Sequence, residues 1–305
     1  MDLTDIQTIK SLCRNFDLRP SKKMGQNFLI SKEPLKKMIA AAELKKNDVV
    51  LEIGPGFGVL TTELAPRVGQ LIVVEKDKRL AEFLHKNIKT KKHKKIKIIN
   101  NDVLKLLITD YPPATPEHSD GGRGRLPITD YKIIANLPYQ ITSPVIWKFL
   151  HQEKHKPTMM VLMVQQEVAQ RICAQPGEMS LLSVLCQFYA DCQIITKVKK
   201  GNFWPMPKVD SAIIKLKKQD TRNLSRLGRA KAGKIQKINE NQFINMVKLG
   251  FSAKRKMLKN NLSRGLKISS DKIIEALKEA GLNEKTRAQE ISVGNWVKLY
   301  NVLLG

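Results

Sequence analysis

Three observations predict an α/β fold in which a mostly parallel sheet is covered on both faces and followed by a small all-helical domain. Residues 49–58, VVLEIGPGFG, run from apolar into glycine and lead on to helix formers. Apolar runs alternate with helical spacing as far as residue 216, the pattern of strands connected through helices. Beyond residue 237 strand patterns stop and only helical spacing remains.

Composition narrows the choice of partner. The 305 residues include 54 Lys and Arg against 28 Asp and Glu, a formal net charge of +26. A compact chain with that self-repulsion is relieved by a polyanion. Nucleic acid is the first candidate and an anionic membrane surface the second. The longest apolar run, 159–164, is too short to cross a bilayer. The N-terminus carries Asp2 and Asp5 and has no basic leader before an apolar stretch, so it resembles neither a secretory nor a transit peptide. A cytoplasmic protein with no membrane partner is expected. Cys13, Cys173, Cys186 and Cys192 form no C-x-x-C pair and the five histidines do not cluster with them, so no metal site is expected and the thiols should be reduced.

The elements follow in order. Residues 18–32 precede the sheet and mix basic residues with the segment GQNFL, and a helix is expected over 33–44. The run at 49–53 reads as a buried strand, the glycines as a turn, and 59–65 as a helix, together the first crossover of a parallel sheet. A strand over 71–74 ends at Glu75, and a helix over 77–89 starts with Asp77 where the dipole favours an acid. KTKKHKK, 89–95, is a basic loop. A third strand, 96–99, is closed by Asn100, Asn101 and Asp102. Residues 111–130 are rich in Pro and Gly without periodicity and read as an exposed loop. Strand four, 131–135, runs directly into Asn136-Leu137-Pro138-Tyr139. A helix over 143–150, a strand over 159–164 and helices over 166–174 and 180–189 continue the alternation. Strands at 193–198 and 209–216 close the sheet, with Phe203, Trp204, Pro205 and Pro207 between them. Residues 217–237 form a basic linker, and helices are expected over 241–263, 270–280 and 292–304. The first of these carries Lys248, Lys254, Arg255, Lys256, Lys259 and Arg264, a candidate phosphate-contacting surface. The chain thus divides into 1–216, 217–237 and 238–305.

In a doubly wound sheet the ligand lies beyond the carboxyl ends of the strands. Gly54 and Gly56 follow strand one, Glu75 ends strand two, Asp102 follows strand three and Asn136 follows strand four. Gly54, Gly56 and Gly58 lack Cβ atoms, so a ligand can approach the bare backbone. Glu75 stands about 20 residues further on, where such folds place an acid on ribose hydroxyls. Val59 breaks the G-x-G-x-x-G pattern that seats a pyrophosphate, so S-adenosylmethionine (SAM), an adenosine without phosphate, suits the turn better than a nicotinamide dinucleotide. Asn-Leu-Pro-Tyr has its own logic. The exocyclic amine of adenine is a poor nucleophile because its lone pair is delocalised into the ring. Acceptors at the Asn136 side chain and the Leu137 carbonyl would draw that amine toward tetrahedral geometry, Pro138 fixes the turn, and Tyr139 can stack on the base. Catalysis is then mostly positioning.

GQNFL at 25–29, LEIGPGFG at 51–58, VVEKD at 73–77, NDVLK at 101–105, NLPYQITSP at 136–144, QQEVAQR at 165–171 and FWPMPKVDSA at 203–212 carry a resemblance to a known family. With FSAKRKMLKNNL and RAQEIS in the helical part, they span most of residues 18–300. The chain resembles the ribosomal-RNA adenine N6,N6-dimethyltransferases, in particular their small-subunit, kasugamycin-sensitivity branch. The resemblance implies a Rossmann-like SAM-dependent methyltransferase sheet and dimethylation of two adjacent adenosines in the hairpin loop near the 3′ end of small-subunit rRNA. It implies that Asn27, Leu29 and Gly54 line the methionine side of SAM, that Glu75 binds its ribose and Asp102 its adenine, and that Asn136 touches both cofactor and target amine. Phe203 would stack on the extruded base opposite Tyr139. A monomer acting on this rRNA or on the immature small ribosomal subunit is expected. A large-subunit rRNA dimethylase, or a non-catalytic RNA-binding assembly or transcription factor on the same fold, are the alternatives. The chain departs from the family pattern at Met24, in the length of 111–130, and in lacking a Tyr-Gly pair around 177–180, which leaves the loop conformation there open.

Overall fold

The computed structural model describes residues 1–20, 25–88, 95–109, 125–219 and 238–305. Met24, most of the basic loop 89–95, most of the loop 111–130 and most of the linker 217–237 lie outside the described residues. The chain divides into two compact units, Met1–Ala169 with Gln193–Lys218, and Gln170–Cys192 with Gln219–Gly305.

The first unit is built on a sheet. Its strands are β2 (Val49–Ile53), β3 (Gln70–Glu75), β4 (Ile96–Asn100), β7 (Lys132–Asn136), β8 (Met159–Gln165), β9 (Ala190–Val198) and β11 (Ser211–Lys218), in spatial order β4-β3-β2-β7-β8-β11-β9. The first five pair in parallel and β11 runs antiparallel to β8, Ser211 opposite Gln165. Strand order reverses between β2 and β7, which opens a crevice at the carboxyl ends of the strands. The central strands are continuous apolar runs because both faces are covered. Val50, Leu51, Leu71, Ile133, Ile134, Val161 and Leu162 are all fully buried. The helices are α1 (Ile6–Asn15), α2 (Lys32–Ala41), α3 (Val59–Leu64), α4 (Lys78–Asn87), α5 (Thr142–Trp147) and α6 (Gln166–Ile172), the last continuing into the second unit. Asp77 caps α4, accepting from the Arg79 N–H at 3.0 Å.

Three features of this unit were not expected. Helix α1 forms where Asp5 caps an Ile6, Ile9, Leu12, Cys13 stripe. A two-residue antiparallel ladder joins β1 (Phe28–Leu29) to β10 (Phe203–Trp204), Leu29 opposite Phe203. The stretch 111–130 is also less loop-like than expected at its far end. There β6 (Arg125–Pro127) pairs in parallel with β5 (Leu107–Thr109).

The second unit is helical, with α7 (Leu181–Tyr189), α8 (Glu240–Gly250), α9 (Leu258–Leu266), α10 (Ser270–Glu279) and α11 (Val293–Leu304). The expected division at residue 216 differs from this grouping, since α7 belongs with the C-terminal helices. The Phe188 ring stacks on Phe243 of α8 at 4.4 Å, and the Tyr189 hydroxyl donates to Glu240 at 3.0 Å. The single helix expected over 241–263 is two helices. The chain leaves α8 at Gly250, where a Cβ would stand 2.3 Å from the Trp296 ring, and the buried Asn261 amide donates to the Gly250 and Ala253 carbonyls at 2.6 and 3.1 Å. Residues 251–257 are therefore a turn. The loop before α7 is also settled, with the Gly177 and Met179 N–H groups donating to the Gln289 carbonyl at 2.8 and 3.1 Å and Ser180 capping the helix.

Candidate active site

At the carboxyl ends of the strands lies a cavity of about 190 Å³ in the first unit. Asn27, Leu29, Gly54, Gly56, Glu75, Asp102, Asn136, Leu137, Pro138, Tyr139 and Phe203, all singled out from the sequence, line it, and Gly58 does not.

The glycine turn supplies one wall. Gly54 donates its N–H to the Val74 carbonyl at 3.0 Å, tying the turn to β3. Gly56 has φ +59°, and a Cβ there would come within 3.1 Å of the Phe28 ring. Gly58 serves packing instead and does not line the cavity. A Cβ at this position would stand 2.2 Å from Ile88 Cδ1.

Carboxylates dominate the polar lining. Glu75 Oε1 accepts from the Asp77 N–H at 2.8 Å and Oε2 from the Gly56 N–H at 3.3 Å. These bonds hold the carboxylate in place while each oxygen keeps lone-pair capacity for a hydroxyl. Burial pushes Glu75 up to about 7, against those two N–H donors. Glu52, missed from the sequence, projects from β2 and is 1% exposed. Neither of its carboxylate oxygens has a hydrogen-bond partner among the described residues. Burial pushes it up to about 8, opposed by the neighbouring Thr61 and helped by the charge of Glu75. The one available signal was a lone acid in the apolar run VVLEI. Asp102 accepts from the Leu104 N–H at 3.0 Å and pairs with Lys76 at 2.8 Å. Burial opposes its ionisation, but Lys76 and the Leu104 N–H hold it below the usual carboxylate range.

The opposite wall is the segment after β7. Asn136 Nδ2 donates to the Asn27 carbonyl at 3.3 Å, which leaves Oδ1 as the end of the carboxamide able to accept from an amine. The Leu137 N–H donates to Met163 on β8 at 3.2 Å, and the Pro138 carbonyl accepts from Ile141 at 3.1 Å. Tyr139 shares a 2.7 Å hydrogen bond with buried Ser211 on β11, and burial pushes its phenol up. Phe203 is 3% exposed, held opposite Leu29 in the short ladder.

This lining selects among ligands. Three carboxylates face the cavity, and the one lysine among its described lining residues, Lys76, is already paired with Asp102. A pyrophosphate would find no unpaired cation among the described lining residues. A ligand with ribose hydroxyls and few negative charges fits the buried Glu52, the tethered Glu75 and the bare backbone of the turn.

Comparison with known proteins agrees. The sequence profile of the ribosomal RNA adenine dimethylase family matches residues 18–304. The chain belongs to that family. Its members are enzymes of the Rossmann-like methyltransferase fold, and SAM is the methyl donor. The chain is 39% identical over 290 residues to a ribosomal RNA small subunit methyltransferase A of Dehalococcoides mccartyi, covering 95% of this chain and 90% of that protein. The protein of that name from Crocosphaera subtropica is 38% identical, with 93% and 98% covered. Among solved structures, a dimethyladenosine transferase from Plasmodium falciparum superposes with TM-score 0.69 at 25% identity, over 90% of this chain and 97% of that one. The 23S rRNA methyltransferase ErmE gives 0.66 at 27%, with 91% and 99% covered.

Proposed function

We propose that this dimethylase converts the N6 amines of two adjacent adenosines in the 3′-terminal hairpin loop of small-subunit rRNA to dimethylamines, as a step of ribosome biogenesis. The acid-lined cavity that joins the glycine turn to Asn136 carries the proposal. Bound there, SAM supplies an electrophilic methyl group on a sulfonium. Glu75 takes the ribose hydroxyls, Asp102 the adenine, and Asn27, Leu29 and Gly54 the methionine end. Asn136 Oδ1 and the Leu137 carbonyl accept the two N–H bonds of the target amine and pull its lone pair out of conjugation. Pro138 fixes the turn. Tyr139 and Phe203 hold the extruded base between them. The amine proton becomes acidic only after nitrogen has attacked, so positioning suffices and no strong base is needed.

The 38–39% identity to small-subunit enzymes supports that substrate. The likeness to ErmE makes large-subunit rRNA the second reading. No helix among the described residues is long and apolar enough to cross a membrane. Action by a monomer on the immature small subunit in the cytoplasm fits the basic charge of the chain. Mass mapping of methylated adenosines after incubation of each rRNA with SAM decides between the substrates. Asn136→Ala should lower the rate of transfer by at least about a hundredfold, as removal of one preorganised polar group from a catalytic site does. RNA binding, followed by filter retention, should persist. Unchanged single-turnover transfer in that variant removes Asn136 from the mechanism.

A further inference from the structure

Between β10 and β11 the residues PMPKVD, 205–210, leave the sheet next to the cavity and return to it at Ser211. The base of this loop is tied down. The Lys200 N–H donates to Asp210 Oδ1 at 2.9 Å, and the Gln166 N–H donates to the Asp210 carbonyl at 3.0 Å. On the sheet side Phe203 is buried and lines the cavity. Three residues later Met206 is 63% exposed, and Val209 on the same loop is 45% exposed. Apart from Met1, no large apolar side chain among the described residues is more exposed than Met206. Pro205 and Pro207 fix φ on either side of it and donate no backbone N–H, so the tip is stiff.

Single apolar side chains at a surface are ordinary. This one shares an anchored loop with the exposed Val209 and is joined by three residues of chain to the wall that would grip an extruded base. Lys208 on the loop and Lys199 and Lys200 at its anchored base are exposed. An apolar point inside a basic surface matches nucleic acid, whose phosphates meet the lysines while a base presents an apolar face. Swinging a base out of its stack leaves its neighbour with one such face uncovered. Apolar side chains, methionine among them, fill gaps of this kind, and the thioether packs well on aromatic rings.

We propose that Met206, backed by Val209, is a wedge that packs on the nucleobase flanking the extruded adenosine in place of its former stacking partner. This rests on the proposed extrusion of an adenine into the cavity.

The test uses the full chain with two probes. One is an rRNA hairpin carrying 2-aminopurine at the target adenosine, whose fluorescence rises on unstacking. The other is small ribosomal subunits lacking the methyl groups. Met206→Ser should reduce the fluorescence rise and lower kcat/KM for methylation by about tenfold, the scale of one stacking interaction with a base. Met206→Leu should retain both. The salt dependence of binding should stay as in wild type, because every phosphate stays bound. A Met206→Ser protein that equals wild type in fluorescence and kcat/KM, or whose defect comes with a shallower salt slope, overturns the wedge and leaves the proposed function standing. A wild-type protein that methylates no rRNA adenosine overturns the reading beneath it.

Discussion

Glu52 is held mostly neutral at physiological pH, because its buried carboxyl sits near 8 with no hydrogen-bond partner among the described residues. Unfolding returns it to an ordinary carboxylate near 4.5. Between those values the folded chain binds the extra proton, so stability falls as pH rises across that window. Glu75 acts in the same direction but stops near 7. The ligand-free protein should therefore lose stability from pH 5 to pH 8, by up to about 1.4 kcal/mol per pH unit for each group. Glu52→Gln should flatten the curve above pH 7 and leave a slope below it. Urea midpoints measured across that range check this, and a wild-type midpoint that climbs with pH refutes it. At this scale much of the site was legible. Gly54, Glu75, Asp102 and Asn136 stand where apolar runs end, and a parallel sheet brings such ends together. Glu52 escaped because a fully buried strand shows no alternation, so its pattern does not say which face an interior acid takes. Gly58 misled for the opposite reason. Whether a glycine serves a ligand or a packed neighbour depends on Ile88, whose approach spacing does not reveal.

Elements were read well where a local signal marks the end and poorly where a distant residue does. Asp77 and Ser180 mark the starts of α4 and α7 in the chain itself. The break between α8 and α9 depends on Asn261 and Trp296 meeting Gly250, and no proline announces it. The β1–β10 ladder is two residues long and joins distant parts of the chain, so neither strand has a pattern of its own. The break changes how the basic residues are presented. Lys254, Arg255 and Lys256 are exposed on a turn instead of circling a helix. Three cations on one short turn can reach the same stretch of phosphate backbone. Replacing all three by glutamine should weaken rRNA binding and make its salt slope shallower by about 0.7–0.9 for each phosphate no longer neutralised. Filter binding over a range of potassium chloride measures the slope, and an unchanged value takes RNA binding away from the turn.

For the molecule as a whole, the helical unit is not one stretch of chain. Its helix α7 precedes β9 and β11, while α8–α11 follow them. Sequence order hid this, because a basic, glycine-containing stretch after residue 216 looked like the only border. Val184, Leu185 and Phe188 on α7 are buried, and Phe188 rests on Phe243. A chain stopped at residue 219 should therefore be more than a catalytic unit without its helical domain. It should expose this apolar face, bind a hydrophobic dye and elute as aggregates in size-exclusion chromatography. A monodisperse, dye-negative fragment would show that α7 needs no cover. The same arrangement has a consequence for biosynthesis. A ribosome finishes α7 well before it has made α8, so the nascent polypeptide must carry an unsatisfied oily helix through the synthesis of β9, β11 and the stretch beyond them. Chaperone demand should peak in that interval and fall once Phe243 leaves the exit tunnel.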